Sequence, residues 1–121
     1  MLDKPQYEES YLCQAPHERL FIHGSWQEGL LPRLGVPADE QQQIAAFQAE
    51  MAQWKSHLGS DGKPAFAIPV AHSSADADLL ALDQLTMEAW MRSKGWDSPH
   101  LHWHVNYCCR DDFGTNHSEC S

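Results

Sequence analysis

The segment between residues 38 and 58 constrains the fold most, because its apolar side chains recur with the period of an α-helix. The recurring positions are Ile44, Phe47, Met51, Trp54 and Leu58. This spacing places all five side chains on one face of a helix, and such a face usually packs into a protein core. Asp39 and Glu40 lie near the expected start, where the helix dipole favours anions. Gly59 is expected to end the helix in the left-handed conformation.

Three further helices are predicted because each follows a Ser or Thr, and these side chains cap the first turn of a helix. They cover residues 76–82, residues 86–95, and a segment that begins at Ser98-Pro99 and ends near Cys109 or Arg110. Residues 1–37 contain four Pro and three Gly and are expected to be loop-rich. Residues 65–70 form at most a short extended segment, because Pro69 cannot lie in a central strand.

The predicted fold class is therefore mainly α, with about four helices in 121 residues. The best-buried side chains are expected to include Trp26, Phe47, Met51, Trp54, Leu58, Trp90 and Leu101. Trp26, Leu30 and Leu31 have a helix-like spacing that Pro32 interrupts.

The charge of the chain argues against two classes of partner. Seventeen acidic and eight basic residues give a net charge of −9, which disfavours binding to nucleic acid and to anionic membrane surfaces. No apolar run approaches the ~20 residues of a membrane span, and the first nine residues lack the features of a signal peptide. The cytoplasm is therefore the default location. The four Cys match no disulfide framework, so reduced thiols are expected.

A cluster of histidines near the start of the last predicted helix contains His100, His102 and His104. On a strand these three imidazoles would share a face that suits zinc, copper or nickel. On a helix only His100, His104 and Cys108 align, and the Ser98-Pro99 start favours the helix. Hydrogen-bonded helix histidines are the favoured interpretation, so no metal is expected, and a metal site of His100, His104 and Cys108 is the alternative. Nothing in the sequence orients His117 or Cys120 toward such a site.

Arg110, Asp111 and Asp112 are the other candidate chemical group. Neighbouring carboxylates can take separate acid and base roles, but adjacent helix residues do not face each other. Capping of the next turn and a salt bridge are therefore the favoured interpretation, with Gly114 in the turn. The chain contains neither a Gly-x-Gly-x-x-Gly loop nor a P-loop, so no nucleotide site is predicted.

Four stretches carry a resemblance to a known family. They are residues 15–21, 26–32, 65–70 with 81–83, and 98–114. The last of them contains the most informative motif, Tyr107-Cys108-Cys109-Arg110-Asp111-Asp112-Phe113-Gly114. In their order and spacing the stretches resemble the bacterial FAD-dependent amine oxidoreductases, the monoamine-oxidase-like family, over about residues 13–116.

The resemblance implies a position inside a larger flavoenzyme. In that family a helical substrate domain lies between segments that assemble a Rossmann-type FAD-binding domain. Residues 1–121 then form a single partial domain without the glycine-rich loop, either a truncated interior piece or the product of a degenerate gene. They are not expected to hold FAD on their own. The whole enzyme oxidises an amine by hydride transfer to flavin. No catalytic residue can be carried over, and cofactor-binding residues are unknown.

The same resemblance implies that this chain supplies structure and part of the substrate-pocket wall rather than catalysis. Its expected partners are the remainder of the flavoenzyme, or other copies that associate through exposed apolar surface. A small metal-binding or protein-interaction module that uses the His100, His102 and His104 cluster is the alternative function.

Overall fold

The computed structural model describes residues 6–11 and 17–121, and its regular elements are mainly helical. Strands β1 and β2 are Arg19–Ile22 and Ser25–Glu28, and the α-helices are α1 (Ala38–Ser56), α2 (Ala77–Leu80), α3 (Met87–Ser93) and α4 (Pro99–Phe113). Short 3₁₀ turns cover Glu9–Tyr11, Val70–His72 and Ala81–Gln84. Four α-helices and one two-stranded sheet confirm the predicted mainly α class for the described residues.

The predicted helix caps are largely confirmed. The Ser98 hydroxyl accepts the Leu101 N–H at 3.1 Å, with Pro99 at the first helical position. The Thr86 hydroxyl caps α3 in the same way through the Ala89 N–H. Helix α4 continues three residues beyond Arg110 and ends at Gly114, whose φ of 70° is left-handed.

Gly59 has a different role from the predicted one. Helix α1 ends at Ser56, followed by an extended His57, and Gly59 does not have a positive φ. A Cβ at Gly59 would lie 2.0 Å from the hydroxyl oxygen of Ser74. Glycine is therefore needed there for a close approach between two segments and not for a left-handed turn.

The N-terminal third is more regular than predicted. Strands β1 and β2 form an antiparallel hairpin in which Phe21 pairs with Trp26. The two residues between the strands, His23 and Gly24, have φ values of 49° and 75°, as a tight hairpin turn requires. Trp26 therefore lies in a strand, and its helix-like spacing to Leu30 was misleading. Residues 65–70 form no strand.

The core of the described residues is small and lies between α1, α3 and α4. Its buried members are Val36, Ile44, Met91, Trp96, Leu101 and Val105. Leu101 is fully buried as predicted, and Phe47, Met51, Trp54 and Trp90 are partly buried. Trp26 and Leu58 are 67% and 59% exposed, so their predicted burial was wrong. Trp26 packs on Phe21 outside the core, and Leu58 lies beyond the end of α1.

None of the helices in residues 6–11 and 17–121 combines the length and the apolar composition that a membrane crossing needs.

Two side chains of α1 hold the start of α4. The Gln43 amide oxygen accepts the N–H groups of Asp97 and Ser98, both at 2.8 Å. The Glu40 carboxylate accepts the Ser98 hydroxyl, and it also accepts the backbone N–H and the ring Nδ1–H of His100. Free N–H groups at a helix start are thus satisfied by a neighbouring helix, and an anion lies where the dipole favours it.

Replacing Glu40 is expected to weaken this junction in a pH-dependent way. The Ser98 hydroxyl and then His100 hold the pKa of Glu40 below its usual 4.5. A carboxyl group with a lowered pKa stabilises the folded state above 4.5, and that contribution is lost as the pH falls through the lowered pKa. Glu40→Gln should reduce the free energy of unfolding by about 1–3 kcal/mol at pH 7. Urea unfolding should show this difference shrinking as the pH falls toward 3.

Asp83→Asn is the matched control, because Asp83 is exposed. An equal loss of stability for Glu40→Gln at both pH values would contradict the proposed role of the Glu40 charge.

Candidate functional site

The family-like motif lies on the last two turns of α4 and points in several directions. Tyr107 stacks on Trp103, with ring centroids 5.7 Å apart and planes 20° apart. Cys109 packs against the core, and Cys108 lies 3.8 Å from the Nε2 atom of His104. Arg110, Asp111 and Asp112 are exposed. The motif is therefore partly structural and partly open to a ligand or partner.

Part of the motif lines a groove of about 700 Å³, here called the His104 groove. One wall is the loop of residues 29–33, and the others are α1 and α4. Its charged lining groups are Glu18, Arg33, Asp111 and Asp112, so carboxylates outnumber guanidinium groups by three to one. Such a lining suits a cationic ligand better than an anionic one.

The loop wall of the His104 groove is held by one buried amide. Gln27 donates to the carbonyl groups of Gly29 and Leu31, at 3.2 and 2.7 Å. Its Oε1 atom accepts the N–H groups of Arg33 and Leu34. Both N–H donors and both oxygen lone pairs of this amide are thus used by four backbone groups, which fixes the loop against β2.

His104 differs from the other histidines of the described residues in having a buried ring nitrogen without a hydrogen-bond partner. Its Nδ1 atom is buried and has no hydrogen-bond partner among the described residues. Burial lowers the pKa of His104. The side chain is therefore a neutral imidazole at pH 7 that lies against the groove.

The helix separates the histidines that the sequence places together. His100 donates through Nδ1 to Glu40, and its Nε2 atom lies 3.0 Å from His23. His102 turns to the other side of α4, toward Trp96 and His117. The hypothetical metal site of His100, His104 and Cys108 is therefore not assembled, because both ring nitrogens of His100 already have other partners.

The structure instead brings together Glu88, His102 and His117, whose ligand atoms all lie within 4.8 Å of one another. In the described part of the chain this is the one group of three or more such side chains with that spacing. The sequence interpretation included His102 but missed Glu88. It left His117 unoriented, because the contacts that place it come from separate elements. Burial lowers the pKa of His117, and the neighbouring His102 adds to that effect.

A second groove, of about 500 Å³, is mostly apolar and is here called the apolar groove. It lies between α1, α3 and the turns at residues 79–85, and its lining includes Met51, Trp54, Phe66, Leu82, Met87 and Trp90. Ile68 and Val70, which follow the lining residue Phe66 in the sequence, are 97% and 82% exposed. Water-exposed aliphatic side chains beside an apolar groove are typical of an interaction surface.

No family model, no curated protein and no solved structure matches this chain at a significant level. The geometry of its own residues is therefore what bears on function.

The thiols of the motif are expected to react slowly in the folded protein. Burial, together with Cys120, raises the pKa of Cys109 to about 11 from the usual 9.0. At pH 8 this lowers the fraction of reactive thiolate about 100-fold. Burial and then the Asp112 carboxylate also raise the pKa of Cys108. Peptide-resolved iodoacetamide labelling should therefore be much slower for both thiols in the native chain than in urea.

Asp112→Asn should speed the labelling of Cys108 in the native chain, whereas Asp83→Asn should leave it unchanged. Equal labelling rates in native and unfolded protein would show that these thiols are not protected by the fold.

Proposed function

We propose that this chain is a helical substrate-domain part of an FAD-dependent amine oxidoreductase and that it acts only with a flavin-binding partner. The observation that carries the proposal is the amount of apolar surface left uncovered. Only seven hydrophobic side chains of the described residues are buried, whereas fourteen large ones are exposed. A domain that completes its own core buries most such side chains.

The total surface supports the same interpretation. The accessible area is 9278 Å² for a mass of 13.7 kDa. A compact monomer of this mass exposes about 6,600 Å² by the general relation between area and mass. A docked partner would cover much of the difference, and the apolar groove with Ile68 and Val70 is the surface that it would cover.

The His104 groove fits a role in forming a pocket for an amine. Amines are cations at neutral pH, and the groove offers the carboxylates of Glu18, Asp111 and Asp112 against the single guanidinium group of Arg33. Two of these carboxylates belong to the motif that carries the family resemblance. The redox chemistry would come from flavin on the partner, because this chain has no glycine-rich dinucleotide loop.

The proposal also places the protein in the cytoplasm. Cys108, Cys109 and Cys120 are free thiols in the structure, and free thiols persist in a reducing compartment.

The test is co-expression with the reading frames that flank this one in its genome. The isolated chain should show no flavin absorbance and no amine-dependent peroxide, whereas the co-expressed complex should be yellow and should elute as one species. A double variant with Ile68→Asp and Val70→Asp should no longer co-elute with the partner. Its helical circular dichroism should be unchanged, because both side chains are already in water.

Gln42→Asp is the control, since Gln42 is exposed on α1 away from the apolar groove. Stoichiometric FAD that stays with the isolated chain through gel filtration would refute the need for a partner. An isolated monomer that does not bind the dye ANS would refute the exposed docking surface.

A further inference from the structure

Three donor side chains from separate parts of the chain meet beside α4. Glu88 lies in the first turn of α3, His102 lies in the second turn of α4, and His117 lies in the segment of residues 115–121, here called the tail. All three side chains are partly buried, and their ligand atoms lie within 4.8 Å of one another. Two imidazoles and one carboxylate are donors that zinc and neighbouring divalent metals accept.

The hydrogen bonds of His102 fix which of its nitrogens is free. Its Nε2 atom lies 2.9 Å from the carbonyl oxygen of Trp96. A carbonyl oxygen only accepts, so Nε2 carries the proton and donates it. In the neutral ring this leaves a lone pair on Nδ1, which points at His117 across 2.9 Å.

The hydrogen bonds of His117 likewise show which of its ring nitrogens is free. The Asn106 Oδ1 atom lies 3.0 Å from the backbone nitrogen of His117 and 3.0 Å from its ring Nδ1 atom. Because a backbone N–H only donates, the Asn106 atom at this position is the oxygen and not the amide nitrogen. The Nδ1 atom of His117 therefore carries the proton, and its Nε2 atom has the lone pair that faces His102.

Two neutral imidazoles thus use both of their protons on outward hydrogen bonds. The inward nitrogens, 2.9 Å apart, are left as two facing lone pairs that repel each other unless a positive charge lies between or beside them. Outward N–H bonds to a carbonyl and an amide oxygen are also the second shell that orients metal-bound histidines. Around Zn²⁺, with Zn–N bonds of 2.0–2.1 Å and a tetrahedral angle, the two nitrogens would be about 3.3 Å apart.

The carboxylate is held so that one oxygen stays available. The Glu88 Oε1 atom accepts two hydrogen bonds from Arg92, at 2.8 and 3.2 Å, which leaves Oε2 without a described partner. The guanidinium charge of Arg92 opposes binding of a cation, while its hydrogen bonds fix the rotamer of the carboxylate. The Glu88 N–H also donates to the carbonyl of His117 at 2.9 Å, and this bond sets the tail against α3.

From this geometry we propose that Glu88, His102 and His117 bind one Zn²⁺ ion, with Asn106 as the positioning residue for His117. Three protein donors leave one position of the tetrahedron for water or a ligand, as in zinc sites with an open position. The site is separate from the His104 groove and from the apolar groove, so it does not depend on the proposed flavoenzyme role.

The test is titration of the untagged, chelator-treated chain with Zn²⁺ by calorimetry, and with Co²⁺ by visible absorption. One ion per chain is expected, with Co²⁺ bands typical of a tetrahedral site. His102→Ala and His117→Ala should each abolish binding at micromolar metal. Asn106→Ala should weaken it about 10–100-fold, because it removes only the second-shell partner.

His72→Ala is the matched control. The imidazole of His72 is exposed, and His72 takes part in the described hydrogen bonds only through its backbone. Circular dichroism should show that His117→Ala stays folded, since the residue follows the last helix. Failure of the wild-type chain to bind Zn²⁺ would overturn the proposal. The positive charge between the rings of His102 and His117 would then be a shared proton and not a metal ion. Binding that survives both His102→Ala and His117→Ala would equally overturn it.

Discussion

The contact on which the rest of this structure depends is the capping of α4 by α1. Two side chains of α1, Glu40 and Gln43, accept the backbone N–H groups of Asp97, Ser98 and His100. The same contact fixes the rotation of α4, because Ser98 and His100 are held by side chains on a separate helix. Rotation matters here because it decides which histidine of α4 faces the His104 groove with the motif and which faces the tail.

The period of α4 then gives identical side chains different chemistry. Residues two apart on a helix lie about 200° apart, so His102 faces away from His100 and His104. The latter two share a side of α4 but lie one turn apart, and each meets a different neighbour. His100 completes the junction with α1, His102 meets the tail, and His104 lies at a groove, where its Nδ1 atom has no partner among the described residues. A cluster that looks like one site in the sequence is three separate environments in the fold.

The sequence predicted those features that depend on local chemistry. Helices α1, α3 and α4 and the caps at Thr86 and Ser98 follow from spacing and residue type. The hairpin was missed because His23-Gly24 is a less common turn pair than Asn-Gly, although short apolar stretches flank it. Burial of Leu58 was wrong because the helical stripe continues past the point where the chain leaves the helix. The Glu88, His102 and His117 group was beyond prediction, because it depends on backbone hydrogen bonds between the tail and α3.

The hydrogen bonds between the tail and α3 link the apolar groove to the group of Glu88, His102 and His117. The N–H groups of Met87 and Glu88 donate to the carbonyl groups of Cys120 and His117, at 2.7 and 2.9 Å. Met87 also lines the apolar groove, whereas Glu88 faces the histidine pair. Consecutive residues at the start of α3 therefore belong to different sites and share one anchor. An ion bound by Glu88 and His117 would hold the tail on α3 and so would steady one wall of the apolar groove, because a ligand stabilises the segments that bind it.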